Sequence, residues 1–410
     1  MQQSCGLTVR VYRNFKDIED LRGLWSTWPG TRDSDMDVFL AACRVSSDVL
    51  SPCVFVVYRD GKPSALFAGS VHRRRFPLRV GWLTIFKPMA NVMVFPYGAL
   101  RGDACEENCA ALVHELLGCL RNGEGHLAFI EQVSNDSSIY RCANSVPGFF
   151  CRDHLAAVRP HRQRRLPGSS EEFYSGLSSH KRKDFRQIFK QVARDFSGQV
   201  RVDRCDSPAG LDRALQVVEE IASKTWQRQF GGGFTAADVS LTELLRTEAK
   251  NGWLRVYTLY VGQKPCAFWI GAVYQGTFYN DFVGYDPAYA RYSPGTYLFL
   301  RIVEELCSSG VKEIDFGFSD EEYKKRFANW TWQGSNVYLY APTRRGVTLS
   351  AMKLITTSLN ESARYLLERA NLIQRVKRVW RRLRITQTGS SKSKLAGSPR
   401  TSVLSESKPS

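Results

Sequence analysis

The chain has 410 residues, of which 43% are aliphatic or aromatic, so it is long enough for two or three packed domains. No stretch contains the roughly 18 uncharged apolar residues that a membrane-spanning helix needs, and charges interrupt the N-terminus where a signal peptide would be apolar. We therefore expect a cytoplasmic protein. The eleven cysteines are scattered and odd in number, and we expect them to be small apolar residues that hold no metal.

The first predicted unit, residues 1–155, combines helices and strands. Its predicted elements are helices near 16–26 and 35–46, strands at 53–58, 64–72 and 79–86, a helix at 106–121 and a strand at 126–132. The helix at 106–121 is amphipathic, because its apolar residues recur on one face: Leu112, Val113, Leu116, Leu117 and Leu120.

The second predicted unit, residues 156–345, begins with a capping box in which Ser169 and Glu172 open a helix. Its further elements are helices at 177–196 and 208–225, strands at 253–260, 266–274 and 277–284, a helix at 294–309, a strand at 312–317, a short helix at 320–328 and a strand at 335–341. An antiparallel meander followed by alternating helices and strands predicts an α/β (α+β) domain with a mixed, mostly antiparallel sheet.

Residues 58–71 and 260–273 carry the same pattern, 202 residues apart and without a gap. Both segments predict a β-hairpin, since an apolar strand, a short turn with Gly, Lys and Pro, and a second apolar strand follow one another. Because the order of elements around the hairpins also agrees, we interpret the chain as a tandem duplication. Convergence of two hairpins on common turn residues is the alternative.

The segment 281–296 is the most specific candidate for a ligand site. Ser293 takes the N-cap position of a predicted helix, Pro294 its first helical position, and Gly295 allows a ligand to approach the backbone. The free N–H groups at a helix N-terminus bind phosphate, and Arg291 would add a positive charge. An ordinary helix cap would show the same pattern.

Four short motifs follow one another here: the strand 277–284, YSPGT at 292–296, IDFG at 314–317 and EEYKKRF at 321–327. In this order they resemble the CelD-like acyltransferases of the GNAT superfamily, which are relatives of the FemABX peptidoglycan aminoacyltransferases. The resemblance covers about residues 170–340, and the basic helix start LSSHKRKDFRQ belongs to it. It implies two tandem GNAT-like domains, of which the first is degenerate.

The resemblance implies an acyl-CoA donor, acetyl-CoA or a longer acyl-CoA, between the strands 277–284 and 312–317. Backbone groups would bind the pantetheine and polarise the acyl carbonyl, and the loop before the helix would bind the pyrophosphate. The expected donor-binding residues are Phe282, Val283, Gly284, Arg291, Ser293, Gly295 and Thr296. Pro294 departs from the usual glycine of the GNAT phosphate loop and leaves one N–H fewer.

Acyl transfer to an amine requires a base for the amine and an acid for the leaving thiolate. Asp281 and Asp315 are the candidate bases, and Tyr285 and Tyr323 are the candidate acids. Each also has a structural interpretation; Asp315, for instance, would order a loop. No cysteine or serine is a clear covalent nucleophile, so we expect direct transfer from thioester to amine.

The expected acceptor is an anionic small molecule or glycan precursor of envelope or exopolysaccharide synthesis. Its candidate contacts are Trp226, Lys324, Lys183 and Arg186, and the basic segment 161–165 is another. The basic residues are equally consistent with a solvated face. The alternative functions are a FemABX-type aminoacyl-tRNA-dependent transferase, for which no heptad arm is evident, and an inactive membrane- or nucleic-acid-binding protein with this fold.

The C-terminus carries much of the net charge of +17, since residues 351–410 contain thirteen basic and three acidic residues. We expect a basic helix over residues 346–386 and a disordered tail over 387–410. Residues 371–386 combine six basic residues with aliphatic residues and Trp380, a composition typical of a helix on an anionic membrane. This predicts a peripheral position at the inner membrane face; nucleic acid is expected only as tRNA under the alternative.

Overall fold

The computed structural model describes residues 6–81, 83–229, 231–319 and 321–369. These residues form two compact units, the first from residues 6–36, 46–158 and 334–369 and the second from residues 37–45 and 159–333. This division differs from the predicted boundaries in two places. The helix near 35–46 joins the second unit, and the strand predicted at 335–341 joins the first.

The strands are β1 (Leu7–Tyr12), β2 (Val49–Arg59), β3 (Lys62–Arg75), β4 (Leu78–Val80), β5 (Leu83–Phe86), β6 (Met89–Phe95), β7 (Leu100–Gly102), β8 (Leu127–Ser134), β9 (Val158–Arg165), β10 (Val200–Cys205), β11 (Leu254–Val261), β12 (Lys264–Tyr274), β13 (Thr277–Tyr285), β14 (Glu313–Phe318) and β15 (Trp330–Tyr340). The helices are α1 (Phe15–Glu19), α2 (Arg22–Thr27), α3 (Met36–Val45), α4 (Glu106–Arg121), α5 (Ser138–Ser145), α6 (Ser170–Ser175), α7 (Ser179–Asp195), α8 (Pro208–Ala222), α9 (Trp226–Gln229), α10 (Val239–Lys250), α11 (Pro294–Ser308), α12 (Glu322–Phe327) and α13 (Arg344–Arg369).

In the first unit the strand order is β1-β2-β3-β6-β8-β15. Only β6 and β8 are parallel, and the other neighbours are antiparallel. α4 packs on this sheet through the predicted apolar face, with Leu112, Val113, Leu116 and Leu120 buried. The amphipathic pattern of α4 is therefore confirmed.

In the second unit the strand order is β9-β14-β13-β12-β11-β10. Neighbours are antiparallel except β13 and β14, which are parallel. Helices cover both faces of this sheet. Successive residues of β12 show this: Trp269 packs in the core with α7 and α11, whereas Phe268 and Ile270 pack in the core with α8 and α10. The mixed, mostly antiparallel α/β fold is confirmed.

The repeated hairpins have the same structure, down to a shared irregularity. In β2–β3, Val57 faces Ala65 and Tyr58 faces Pro63, so Ser64 is an extra residue. In β11–β12, Leu259 faces Ala267 and Tyr260 faces Pro265, so Cys266 is the extra residue. Because the two β-bulges lie at equivalent positions, the structure supports the interpretation as a duplication.

Several elements were missed or misjudged from the sequence. The strands β1, β6, β9 and β10 and the helix α10 were not predicted, and the single strand expected at 79–86 is the hairpin β4–β5. β9 was missed because its sequence, VRPHRQRR, is polar. α13 corresponds to the start of the predicted C-terminal helix, but residues 371–386 and the tail 387–410 lie outside the described residues. Among the helices described, none is long and apolar enough to cross a membrane.

Candidate functional site

The parallel strands β13 and β14 separate after a short contact. They pair only at Thr277–Glu313, Phe278–Ile314 and Tyr279–Asp315, although β13 continues to residue 285 and β14 to residue 318. In the pairing of β12 with β13, Gly271 faces Asn280 and Ile270 faces Phe282. Asp281 is therefore an extra, bulged residue of β13. A bulge bends its strand, and this one lies where β13 leaves β14. We call the space between residues 280–285 and 316–318 the β13–β14 gap.

The backbone N–H and C=O of Val283 both point away from β12. Asp286 N–H donates to the Cys266 carbonyl of β12 at 2.8 Å, whereas the Val283 carbonyl accepts from Gln227 Nε2 at 3.5 Å. The backbone N–H and C=O of successive strand residues point to alternate sides. Phe282 and Gly284 therefore direct their N–H and C=O toward β12, as Asp286 does. Of the three backbone positions predicted to bind the donor, Val283 is the one oriented for it.

The segment 225–227 lies beside this end of β13. A Cβ on Gly284 would be 2.5 Å from Phe268 Cε1 and 3.1 Å from Thr225 Cγ2, so close packing requires the glycine. Trp226 follows the buried Thr225 and is more than half exposed. The structure thus places the predicted acceptor contact Trp226 next to Val283 and Gly284.

The start of α11 differs from the predicted helix cap. Residues 287–292 form a 3₁₀ turn, and Ser293 then adopts a left-handed conformation with φ 49° and makes no side-chain capping hydrogen bond. Ser293 thus occupies the predicted N-cap position, with Pro294 first in the helix and the Ser293 carbonyl accepting from Tyr297 N–H at 3.0 Å, but its side chain forms no capping bond. The N–H groups of Gly295 and Thr296 are left without that cap.

Gly295 borders open space. The nearest described atom to a Cβ built there is Tyr285 Cδ1 at 3.8 Å, an ordinary contact. Tyr285 is exposed beside it. Arg291 is exposed as well; its guanidinium lies 4.5 Å from the ring centre of Tyr292 and donates to that hydroxyl. The predicted phosphate-loop residues and Tyr285 are therefore neighbours.

Asp315 lies at the base of the gap and is only 4% exposed. Its Oδ1 accepts from His161 Nε2 and from Gly317 N–H, both at 2.7 Å, and its Oδ2 accepts from Gln163 Nε2 at 3.4 Å. Burial alone would raise the pKa of Asp315, but the His161 interaction and the other donors outweigh it and lower that pKa. Asp315 thus orders the end of β14.

Tyr323 and Lys324 of α12 are enclosed on the same side. Tyr323 Oη accepts from Asn280 Nδ2 at 3.3 Å, and burial raises the pKa of this tyrosine. Lys324 Nζ lies 3.4 Å from the Phe318 carbonyl and 3.5 Å from Glu321 Oε2. Burial lowers the pKa of Lys324, which is therefore not the solvated charge considered from the sequence.

Two residues that the sequence analysis did not name add unpaired polar atoms. Asn280 Oδ1 and Trp269 Nε1 are buried without a hydrogen-bond partner among the described residues. Asn280 is the first β13 residue past the contact with β14, and both side chains adjoin Tyr323. An unsatisfied buried polar group costs about 1–3 kcal/mol, so such atoms are expected where a ligand or water binds.

The basic residues predicted for the acceptor divide into two groups. Lys183 and Arg186 are exposed on α7. In β9, His161 is buried, and Arg164 stacks 4.4 Å from the Phe173 ring and donates to the Phe327 carbonyl at 2.8 Å. The expectation that the whole segment 161–165 is an anion-binding surface is therefore wrong.

The described His, Cys, Asp and Glu residues were compared with the arrangement of a metal site, and Cys266 with that of a thiol nucleophile. No group of three or more His, Cys, Asp or Glu there has the arrangement of a metal site. Burial raises the pKa of Cys266, the extra residue of the β11–β12 hairpin, to about 12, which makes it a poor nucleophile at neutral pH.

Comparison with known proteins agrees with this arrangement. Residues 179–325 match the family model of the acetyltransferase (GNAT) domain. The match lies within the second unit and spans the sheet meander, the β13–β14 gap and the start of α11. No curated protein matches the chain.

Similar solved structures extend over most of the chain at low identity. A crystal structure of FemX has a TM-score of 0.58 at 9% identity, covering 83% of this chain and 99% of that one. A tandem GNAT protein from the clavulanic acid biosynthesis pathway has a TM-score of 0.45 at 10% identity, covering 82% and 100%. At this identity the FemX similarity establishes the fold alone. The finer CelD-like assignment stays a prediction.

Proposed function

We propose that this protein is an N-acyltransferase that moves an acyl group from acyl-CoA to an amine. The observation that carries the proposal is the separation of β13 from β14. This separation leaves the backbone N–H and C=O of Val283 directed to the gap. β13 then leads to the start of α11, which has no side-chain cap. A long donor with a thioester at one end and phosphates nearer the other suits this arrangement, because helix N–H groups favour phosphate.

The residues present fit acyl-CoA as a substrate. Gly295 has room for a ligand at its backbone, and the exposed Arg291 supplies a positive charge that offsets the N–H missing at Pro294. The unpaired Asn280 Oδ1 and Trp269 Nε1 provide an acceptor and a donor for amide or carbonyl groups. Val283 N–H would stabilise the negative charge that develops on the acyl oxygen.

The transfer proceeds directly between thioester and amine. The amine nitrogen attacks the thioester carbon, the C–N bond forms, and the C–S bond breaks with its electron pair on sulfur. The amine proton passes to a base and the thiolate takes a proton from an acid. The candidate bases are Asp281, in the bulge of β13, and Asp315, at the base of the gap. Tyr323, whose hydroxyl contacts Asn280, and Tyr285 are the candidate acids.

The acceptor is proposed to be an amine of an anionic small molecule or glycan precursor. Trp226 offers an exposed aromatic surface beside Val283, and the exposed Lys183 and Arg186 offer positive charge. Lys324 is better assigned to holding the end of β14, since its ammonium group contacts the Phe318 carbonyl. Acetyl is the simplest acyl group consistent with the domain family.

A FemABX-type aminoacyl-tRNA-dependent transferase is the second candidate. The FemX similarity, which covers 99% of that chain, is the observation in its favour. Against it, α7 with 17 residues is the longest helix described in the second unit, so no long helical arm occurs among those residues.

Calorimetric titration of the full chain with acetyl-CoA, a longer acyl-CoA and tRNA tests the proposal. We expect saturable acyl-CoA binding that Gly295→Trp abolishes, because the indole would fill the space at the start of α11. Gly295→Ala is the matched control and should keep binding, since its Cβ meets only an ordinary contact. Binding of tRNA without acyl-CoA would overturn the proposal in favour of the second candidate, and binding of neither would indicate an inactive protein.

A further inference from the structure

The helix α13 in the first unit has both packed and exposed nonpolar residues. Gly346 and Leu349 pack against the unit; a Cβ on Gly346 would lie only 2.2 Å from the Ala341 carbonyl oxygen, and Leu349 is 4% exposed. Further along the helix, Met352, Ile355 and Leu359 are 36%, 59% and 52% exposed. Since a helix turns about 100° per residue, these three side chains lie within about 60° of one another and form one exposed apolar stripe.

The hairpin β4–β5 extends this stripe. Leu83, Ile85 and Phe86 are 72%, 59% and 51% exposed. The hairpin adjoins α13, because Gly81 N–H donates to Asn360 Oδ1 at 2.9 Å. Gly81 lies two residues before Leu83, and Asn360 directly follows Leu359. We call Leu83, Ile85, Phe86, Met352, Ile355 and Leu359 together the apolar surface.

Basic residues border the apolar surface. Arg79 and Lys87 flank the hairpin, and Arg344 and Arg345 begin α13. A contiguous exposed apolar surface on a folded unit usually marks an interaction site, and the basic surroundings restrict which partner can cover it.

Charge and chemistry favour one occupant. A second copy would set basic groups against basic groups, and so would the chain's own residues 371–386, with six basic and no acidic residues. A nucleic acid would pair with the arginines but leave Leu83, Ile85 and Ile355 in water. A bilayer with anionic headgroups satisfies both features, because apolar side chains enter the acyl boundary while basic ones contact the headgroups.

We propose that the apolar surface of the first unit docks this protein onto an anionic membrane. The surface is distinct from the donor site and from residues 371–386. It would act together with the latter, since only residue 370 separates Arg369 from them in the sequence. Both segments would then contact one bilayer, as stable peripheral attachment generally needs two signals.

Vesicle flotation of the purified full chain tests this proposal. We expect binding to vesicles of phosphatidylcholine with phosphatidylglycerol and much weaker binding to phosphatidylcholine alone. The variants Leu83→Ser/Ile85→Ser and Ile355→Ser/Leu359→Ser should each weaken binding roughly tenfold or more, because two inserted side chains are lost. Both variants should still fold, because the four replaced side chains are exposed to solvent. Lys87→Glu should weaken binding to the anionic vesicles only.

Val239→Ser is the matched control, because Val239 is an equally exposed apolar residue, 66%, on α10 of the second unit, and it should bind as the parent does. The proposal is overturned if the parent ignores anionic vesicles, if both double serine variants bind unchanged, or if only Trp380→Ser in residues 371–386 abolishes binding. It is also overturned if the serine variants abolish self-association in sedimentation while vesicle binding is absent, which would identify a second copy as the occupant.

Discussion

Ser293 shows how one residue's backbone changes the meaning of a motif. From the sequence it is an N-cap; in the structure its φ of 49° and lack of a capping bond make it a left-handed turn residue before Pro294. Non-glycine residues in this region are strained by roughly 1–2 kcal/mol and cluster at functional sites. The turn therefore leaves the start of α11 open to a ligand.

Ser293→Ala should change the free energy of unfolding by less than about 0.5 kcal/mol, because no capping bond is lost. Ser293→Gly should be equal or up to about 1 kcal/mol more stable, since glycine relieves the strain. Urea denaturation measures both. A loss of about 1 kcal/mol in the alanine variant would show that Ser293 is a conventional cap after all.

Asp315→Asn should lower the free energy of unfolding by about 1–3 kcal/mol, because a buried charge-assisted contact with His161 is weakened. The pKa of Asp315 is lowered in the folded state, so its contribution is present above the unfolded pKa and disappears as pH falls through the folded pKa. The loss should therefore be smaller in acid. An unchanged stability at pH 7 would contradict the structural role.

Asp281→Asn should act on rate instead of stability. If Asp281 in the bulge accepts the amine proton, the variant should lose roughly 100-fold or more in kcat while its thermal midpoint and acyl-CoA affinity stay near those of the parent. Release of free CoA thiol with an amine acceptor measures the rate. Equal activity in parent and variant would remove Asp281 as the base.

At the scale of elements, a polar cluster in the first unit links the residues just before β2 to β3. Asp48 accepts from Ser46 Oγ at 2.6 Å and contacts His72 Nδ1 at 3.2 Å. Burial alone would raise the pKa of Asp48, but the hydrogen bonds from His72 and Ser46 and nearby positive charge lower it to about 2. The ionised carboxylate thus helps to hold the two strands in register.

Asp48→Asn should cost at most about 2 kcal/mol at pH 7. Because the folded pKa lies below the ordinary value of 3.8, this stability is complete above about pH 4 and is lost as pH falls toward 2. Urea denaturation at pH 7, 5 and 3 should show the difference from the parent shrinking only at the lowest pH. The exposed Asp20→Asn serves as control; a pH-independent difference would refute the ionic origin.

At the scale of the whole molecule, the two repeated units differ, among the described residues, in where their parallel strands stop pairing. β6 and β8 pair from Val92 to Phe95, where β6 ends, whereas β13 runs six residues past its contact with β14. In the repeat, Phe95 of β6 is equivalent to Asn280 of β13, because each directly follows the residue that faces the equivalent position of the preceding strand. Its ring stacks 4.1 Å from Phe67 and would touch a Cβ on Gly69 at 2.6 Å, so packed rings replace the polar gap.

We therefore expect one molecule of acyl-CoA per chain. Isothermal titration of the parent should give a stoichiometry near one, because the first unit has no comparable gap among its described residues. The Gly295→Trp variant should give none. A stoichiometry of two, or one residual site in that variant, would show that the first unit also binds the donor.

The sequence predicted much of the fold because local signals and tertiary packing agree over most of the chain. The apolar face of α4, the hairpins and α11 follow from periodicity and turn residues alone. β9 and the pairing of residues 334–340 with β8 were not predictable in this way, since a polar strand has no apolar period and strand partners distant in the chain leave no local trace.

The sequence by itself indicated a duplicated hairpin and showed that residues near 281–296 have no counterpart after the first copy. Only the tertiary structure decided how the site is built: which peptide group of β13 faces the gap, that Asp315 is bound to His161, and that Asn280 and Trp269 lie beside Tyr323. The physical reason is that hairpins and amphipathic helices arise from neighbouring residues. A gap between parallel strands depends instead on where two segments 36 residues apart in the chain stop pairing.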